Sequence, residues 1–430
     1  MGCTNSSPSS SKATIIKHNN NSHISDFVSV EPTSQNSKLV IPNTHNFQVI
    51  INEGDTLSDG KTFPKNPDFT GYLGINNSST NGYLSVNSES NPGGVSVLDI
   101  NFNANKKEWQ ITNSAAINFS LVGGTAYNCS GAVTPWNTIV SCEEHPIQND
   151  VNNDGFSDNG WCVELDPLNK KVIGKLWALG NMSHENICIH PNNKTVYFGS
   201  DSNPGYLYKF IANQARDLKN GKLFVYQGNK SGLGKWILLK NETKAECNST
   251  LQQSMQVGAT IFNGVEDVEI GPDGNIYFAV KNEHCIYRLV DKEPLSGDNV
   301  NNCRTFAGNM SYAIKSNNGI SEVPWGTGND NLVFDKLGNL WVTQDGDNNY
   351  IWVIMKGHTQ SYPKVKLFGI SPFGAEPTGI TFTPDNRFMF LSIQHPAITN
   401  MQTVQYDAIS KPASFNKDVT IVIGLKRNWN

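Results

Sequence analysis

Four times along this chain a polar turn leads directly into a strand of aromatic and β-branched residues. The four units are Pro191-Asn-Asn-Lys-Thr-Val-Tyr-Phe-Gly-Ser-Asp201, Pro272-Asp-Gly-Asn-Ile-Tyr-Phe-Ala-Val280, Asp335-Lys-Leu-Gly-Asn-Leu-Trp-Val-Thr-Gln-Asp345 and Pro384-Asp-Asn-Arg-Phe-Met-Phe-Leu-Ser392. Gly or Asn supplies the positive φ of the turn, and the alternating strand buries one face. Their spacing of about 50 to 80 residues fits propeller blades that carry loop insertions, a bare blade needing roughly 40 to 50. An acidic stretch precedes each turn: His184-Glu185, Glu266-Asp267, Asp330-Asn331 and Glu376-Pro-Thr-Gly. Equivalent positions on the innermost strands of a propeller converge on its central channel. Acids in phase with the repeat therefore aim at one axis, which is metal-site geometry. A single Asp or Glu more often caps a turn or faces solvent; the recurrence reverses that reading.

The expected fold is all-β, a six-bladed β-propeller with loop insertions, forming one domain over 39–430 behind a disordered N-terminal tail over 1–38. Propellers routinely exceed the size of an average domain as a single unit. Lys38–Pro42 and Asn46–Asn52 read as the opening strands, and Leu207 to Leu218 is the best short helix candidate. Charged residues are sparse, and Asn, Ser and Thr carry the polarity. A net charge of -5 with no basic tract leaves no footprint for nucleic acid.

No run approaches the roughly 20 apolar residues of a membrane span. Met1-Gly2-Cys3 followed by a Ser/Asn-rich stretch fits a processed lipoprotein with Cys3 lipidated, and Met-Gly-x-x-x-Ser also fits N-myristoylation. A secreted, periplasmic or cell-surface protein is expected, touching membrane only through an anchor at Cys3, and monomeric. The chain has 8 cysteines and no Cys-x-x-Cys pair. With Cys3 and Cys129 set aside, the other cysteines could pair in an oxidising compartment.

A separate calcium signal lies in Asp150-Val-Asn152-Asn-Asp154-Gly155-Phe156-Ser-Asp158. Side-chain oxygens fall at positions one, three, five and nine of an EF-hand-like loop. The Phe156 carbonyl stands at seven and Gly155 at six, for the sharp turn. Trp161 stands where the bidentate Glu belongs, so such a site would be structural, bracing the excursion after Glu144.

The stretch Asn128-Cys129-Ser-Gly131-Ala132-Val-Thr-Pro-Trp136-Asn137-Thr-Ile-Val-Ser-Cys142-Glu143-Glu144 closely resembles the Cys-x-Gly-Gly-x-Thr-Pro-Trp-Gly-Thr…Cys-Glu-Glu signature of the PhoX alkaline phosphatases. Later motifs follow in the same order: His184-Glu185, Tyr206-Leu-Tyr-Lys209-Phe, Glu266-Asp267-Val-Glu, Asp330-Asn331 and Gln394-His395-Pro396. Val86-Asn87-Ser88-Glu89 matches the family's Asn-His-Glu. The resemblance implies a phosphomonoester hydrolase acting on small phosphomonoesters with ferric iron and calcium. It implies Cys129, Glu143, Glu144, Glu185 and Glu266 as catalytic metal ligands, with Asp330, Glu376 and Glu89 as further ligands. Thiolate suits iron, and carboxylates suit both Fe(III) and Ca(II).

The chain departs from the pattern at Ala132, Asn137 and Ser88, and at Gly264, where the family commonly has an arginine expected to help bind phosphate. A guanidinium fork is the natural partner of a phosphate; Lys281 and Arg304 are the cations available in exchange. Two alternatives compete: a calcium-dependent propeller lactonase or esterase, which needs no thiolate, and a non-catalytic surface propeller that uses metals only for stability.

Overall fold

The computed structural model describes residues 23–297 and 302–429. Six antiparallel sheets form the blades of a propeller, over 67–116, 128–175, 184–239, 265–308, 329–370 and 376–425. The first strand of each blade contacts the first strands of both neighbours, so the six of them line the central channel. Those inner strands are Pro67–Gly74, Asn128–Val133, His184–Ile189, Val265–Ile270, Asn329–Phe334 and Glu376–Phe382. The four turn-plus-strand units of the sequence are the second strands of blades three to six, each paired to the acidic strand before it.

Blade six closes the ring. Its third strand, Val419–Leu425, pairs on one side with Phe388–Gln394 and on the other with His45–Asn52, which comes from the opposite end of the chain. Closure leaves no open inter-blade gap whose apolar faces would meet water.

Hydrophobic burial is divided among the six blade interfaces rather than gathered in one core. Val95, Val163 and Leu165 lie between blades one and two, and Val140, Phe198 and Tyr208 between two and three. Tyr197 meets Phe278 between three and four, and Tyr277 meets Trp352 between four and five. Trp341 meets Met389 between five and six, and Phe390 meets Tyr72 between six and one. Each sheet is covered on both faces, so its central strands are apolar almost throughout.

The disorder expected over 1–38 does not hold for residues 23–38. From His23 onward the chain is packed: Ile24, Phe27 and Leu39 are buried with Trp341 and Phe368, and Val30 enters the interface of blades four and five. Three apolar side chains at three-residue spacing are enough to anchor this otherwise polar arm. Residues 1–22, with the anchor expectation at Cys3, lie outside the described residues. The helix expected from Leu207 to Leu218 is instead the strand Leu207–Gln214 and the start of the next. Leu207, Lys209 and Ile211 alternate with Tyr208 and Phe210 between two partner strands, and that pairing overrides local helix propensity. Short helices do form at Lys244–Asn248 and Thr250–Gln256, the first opened by a capping box of Thr243 and Glu246. No helix among the described residues is long and apolar enough to cross a membrane. The seven described cysteines are all unpaired thiols, with Cys142 and Cys162 facing each other across neighbouring strands at 3.6 Å.

Lys209, from the Tyr-x-Tyr-Lys-Phe motif, is a structural residue. Its fully buried ammonium lies 2.7 Å from Asp291, which also accepts from Tyr197 at 2.8 Å and Trp236 Nε1 at 3.1 Å. Asp291→Ala removes the carboxylate that neutralises that cation, leaving it the Glu293 and Ser296 carbonyls at 3.1 and 2.6 Å, and is expected to cost about 3–5 kcal/mol in chemical unfolding. An unchanged unfolding midpoint would refute this role.

Candidate metal centre

Each inner strand carries the same irregularity, at its second residue in blades one to five and two residues further along in blade six. Pairing with the second strand slips between Pro67 and Thr70, Asn128 and Gly131, His184 and Ile187, Val265 and Val268, Asn329 and Leu332, and Thr378 and Thr381. Two residues there oppose one, a bulge that re-aims a side chain. The first residues of these bulges are Asp68, Cys129, Glu185, Glu266, Asp330 and Gly379. Five blades thus present an acid or a thiol, side chains of the kind that can bind a metal, to the axis from equivalent backbone positions.

The second bulge residues do different work. Ser130 donates to Asp267 at 3.0 Å, and Asp267 also accepts the Leu332 N–H at 2.9 Å. Asn186 exchanges two hydrogen bonds with the backbone of Val268, and Asn331 Oδ1 accepts from Thr378 and from the Gly379 N–H. These side chains fasten blade to blade, and their polar atoms find partners within the protein.

Among the first residues, Glu185 and Glu266 are short of donors. Cys129 Sγ lies 3.2 Å from Glu185 and 3.6 Å from Asp68. Glu185 Oε1 is buried without a hydrogen-bond partner, and Glu266 Oε1 has only the Lys281 ammonium at 3.4 Å. Three sets of ligand atoms converge within 4.8 Å: Asp68, Cys129 and Glu185; Glu89, Cys129 and Glu144; Glu185, Glu266 and Asp330. The sets interlock, since Cys129 and Glu185 each belong to two of them.

The electrostatics agree with this geometry. Burial, reinforced by Glu89, pushes Asp68 up to about 8, and the same two causes push Glu144 up to about 11. Burial likewise raises Glu185, Glu266 and Asp330 well above the usual carboxylate range, the first compounded by Glu266 and the second by Asp201. The Cys129 thiol is raised by burial and by Asp68. Without cations these groups cannot all ionise. A buried thiol, crowded acids and orphaned carboxylate oxygens fit bound metal ions.

A second ring stands above the first. The residue after each second strand is Glu89, Glu144, Asp201, Lys281, Asp345 and His395 in blades one to six. In blades one to five its N–H donates to the residue two before the bulge ligand, at 2.8 to 3.0 Å, namely Asn66, Tyr127, Ser183, Gly264 and Gly328. This rim completes the mouth of the channel.

Residues 103–397 match the sequence family described as alkaline phosphatase PhoX, more than half of the chain. The chain belongs to the PhoX alkaline phosphatase family. It is accordingly a phosphoric monoester hydrolase of that family's kind. The chain is similar in structure to Pseudomonas fluorescens PhoX in complex with vanadate, a transition state analogue. That likeness has a TM-score of 0.73 at 20% identity, covering 94% of this chain and 98% of the other. Weaker likenesses are to virginiamycin B lyase from Staphylococcus aureus (TM-score 0.42, 12% identity, 89% and 99% covered). Another is to the calcium-binding protein regucalcin from Agrobacterium tumefaciens (0.44, 10%, 88% and 94%). No curated protein matches the sequence.

Of the residues that the PhoX resemblance singled out, Cys129, Glu144, Glu185, Glu266, Asp330 and Glu89 are brought together in the three sets. Glu143 is not. Its neighbour Glu144 takes the channel side, and strand alternation turns Glu143 away. There it is fully buried, 3.4 Å from the Lys175 ammonium, accepting from Thr125 at 2.8 Å and the Trp161 N–H at 3.1 Å. Glu376 sits at the rim with His395 at 3.8 Å, outside the three sets, and is raised by burial and by Asp345. His184 is packed into blade three, its Nε2 on the Gly180 carbonyl at 2.8 Å.

The loop proposed for calcium holds itself. Asp150 accepts the N–H groups of Asp154 and Gly155 at 2.9 Å each, and Asp158 accepts that of Val151. The Lys244 ammonium donates to the Asp154 carbonyl. Asp150, Asp154 and Asp158 are not among the converging sets, Asn152 Nδ2 donates to Asp154 at 3.0 Å, and Phe156 contributes its N–H to Asp154 Oδ1 at 2.8 Å. Asp68 is the member of the three sets that the sequence reading missed. Blade one enters its second strand from Ser78-Ser-Thr-Asn-Gly rather than a Pro-Asp-Gly turn, so the repeat frame was not seen to extend to Pro67-Asp68. Arg304 lines a cleft with Asp273, Tyr277 and His358 on the flank of blades four and five, away from these sets.

Proposed function

We propose that the enzyme hydrolyses small phosphomonoesters with ferric iron and calcium held in its channel mouth, iron on the Cys129 side and calcium on the all-carboxylate side. The observation that carries this reading is the interlocking of the three ligand sets through Cys129 and Glu185. Two sets contain the thiol, which suits iron, and Glu185, Glu266 and Asp330 form a hard, all-oxygen set, which suits calcium. When bound, such cations supply Lewis-acid charge to the phosphoryl oxygens and to the attacking oxygen.

The chain's own residues prepare that cradle. Asn87 Nδ2 donates to the Cys129 carbonyl at 2.7 Å and to the Ser130 carbonyl at 3.0 Å, which fixes the bulge that aims the thiol. Thr378 donates to Asp68 Oδ1 at 2.9 Å and Gln394 Nε2 to Oδ2 at 3.3 Å, orienting its carboxylate. Preorganised ligands of this kind need no rearrangement when charge develops on a transferring phosphoryl group.

Metal analysis of the purified protein together with p-nitrophenyl phosphate hydrolysis tests the proposal. Iron alongside calcium, with hydrolysis, is the expected result. Calcium alone would favour the lactonase or esterase reading, and a fully metallated protein without activity would favour a binding propeller.

A further inference from the structure

The rim contains one permanent cation. Its positions in blades one, two, three and five are Glu89, Glu144, Asp201 and Asp345, blade six supplies His395, and blade four supplies Lys281. Among the described residues Lys281 is also the one lysine or arginine in ion-pair contact with a member of the three ligand sets. Its ammonium lies 3.4 Å from Glu266 Oε1 below and 3.0 Å from Asp345 Oδ2 beside it, and its side chain stays 30% exposed. Lys281 is therefore held over the ligand sets from two directions and still faces the mouth, with a third N–H to offer.

The backbone of blade four reserves that place for it. Gly264, whose carbonyl accepts the Lys281 N–H, has φ +78. A Cβ there would come within 2.8 Å of Asp201 Oδ1 and 3.1 Å of Asn282 Nδ2. No larger side chain enters from that strand without strain. The cation comes instead from the end of the neighbouring strand, its Cβ 3.5 Å from where a Gly264 Cβ would stand.

Resting on the phosphatase reading above, we propose that Lys281 is the residue through which this protein grips the phosphoryl oxygens of its substrate, with Asp345 positioning the ammonium. An ammonium in a rim of carboxylates gives a tetrahedral dianion an attractive point in a mouth that otherwise repels it. It also recognises charge as a point rather than as a fork.

The test is inorganic phosphate binding to the metal-loaded protein by titration calorimetry, for the wild type, Lys281→Met, Lys281→Gln and Lys281→Arg. Both neutral variants are expected to weaken phosphate binding by about tenfold or more, and Lys281→Arg to stay within about threefold of the wild type. Metal content and thermal midpoint should not change in any of them. Phosphate binding unaltered in the neutral variants would overturn the proposal. So would an additional equivalent of metal in them, because the ammonium would then be standing in for a cation, or loss of metal in both, because Lys281 would then belong to the cradle. Wild type that binds phosphate without hydrolysing p-nitrophenyl phosphate would sink the phosphatase mechanism and leave this assignment intact; wild type that binds no phosphate would overturn the assignment itself.

Discussion

Replacing Glu185 by glutamine is expected to lower kcat for p-nitrophenyl phosphate by on the order of 10³-fold, about 4 kcal/mol of barrier, and to reduce the metal content of the purified protein. Glu185 links the thiol-containing set to the all-carboxylate set, and its Oε1 has no hydrogen-bond partner in the protein to compensate the loss. Glutamine keeps the shape and one oxygen but not the charge that holds cations. The substitution should have the opposite effect on the metal-stripped protein. Burial and the neighbouring Glu266 oppose ionisation at this position, so an uncharged side chain relieves the fold. The thermal midpoint in chelator should therefore rise while activity falls, a trade common where a site is built for function rather than stability. Full metal content with kcat within about threefold of wild type would refute the assignment.

The second large effect is a pH dependence that bound metal removes. Asp68 is raised from 3.8 to about 8 and Glu144 from 4.5 to about 11, each by burial and then by Glu89. Both hold a proton more tightly folded than unfolded. Their contribution to stability is full below their unfolded pKa and is lost as pH rises through about 8 for Asp68 and about 11 for Glu144. Buried His45 and His184, each lowered to about 4 by burial, act the other way, but only between about 4 and their ordinary value of 6.5. Between pH 7 and pH 10 the histidines no longer contribute, and buried thiols remote from the channel such as Cys142 and Cys188, raised by burial, lose stability equally with and without metal. The difference between the stripped and the metal-loaded protein therefore isolates the acids. The metal-stripped protein should lose about 5 °C or more of thermal midpoint over that interval. The metal-loaded protein should lose far less, because cations compensate the ionised carboxylates. A stripped protein as stable at pH 10 as at pH 7 would show that the acids are not confined together.

Glu185, Glu266 and Asp330 were legible because a propeller repeats its backbone, and Cys129 because it stands in the motif that resembles the PhoX signature. A ligand position that recurs in three dimensions recurs in phase along the chain, and three of these acids stand just before a turn that announces the next strand. Asp68 obeys the same rule, but its blade lacks the Pro-Asp-Gly type of turn that made the others visible. The rim was harder to see. Asp201, Lys281 and Asp345 follow the second strands, where a charged residue after a strand looks like any other loop entry.

Local patterns of residues were sufficient for the architecture, because strand alternation, turn chemistry and blade spacing all arise from near neighbours in the chain. They could not say which of two adjacent glutamates meets the channel. Glu143 and Glu144 differ by one step of a period-two strand, and only the pairing of 139–143 with its neighbours settles which one turns toward the buried Lys175 and which toward Glu89 and Cys129. Nor could they bring Lys281 and Asp345, 64 residues apart by their numbering, to 3.0 Å of each other. That contact exists because blades four and five are neighbours in a closed ring, and ring closure depends on strands from the two ends of the chain meeting in a single sheet.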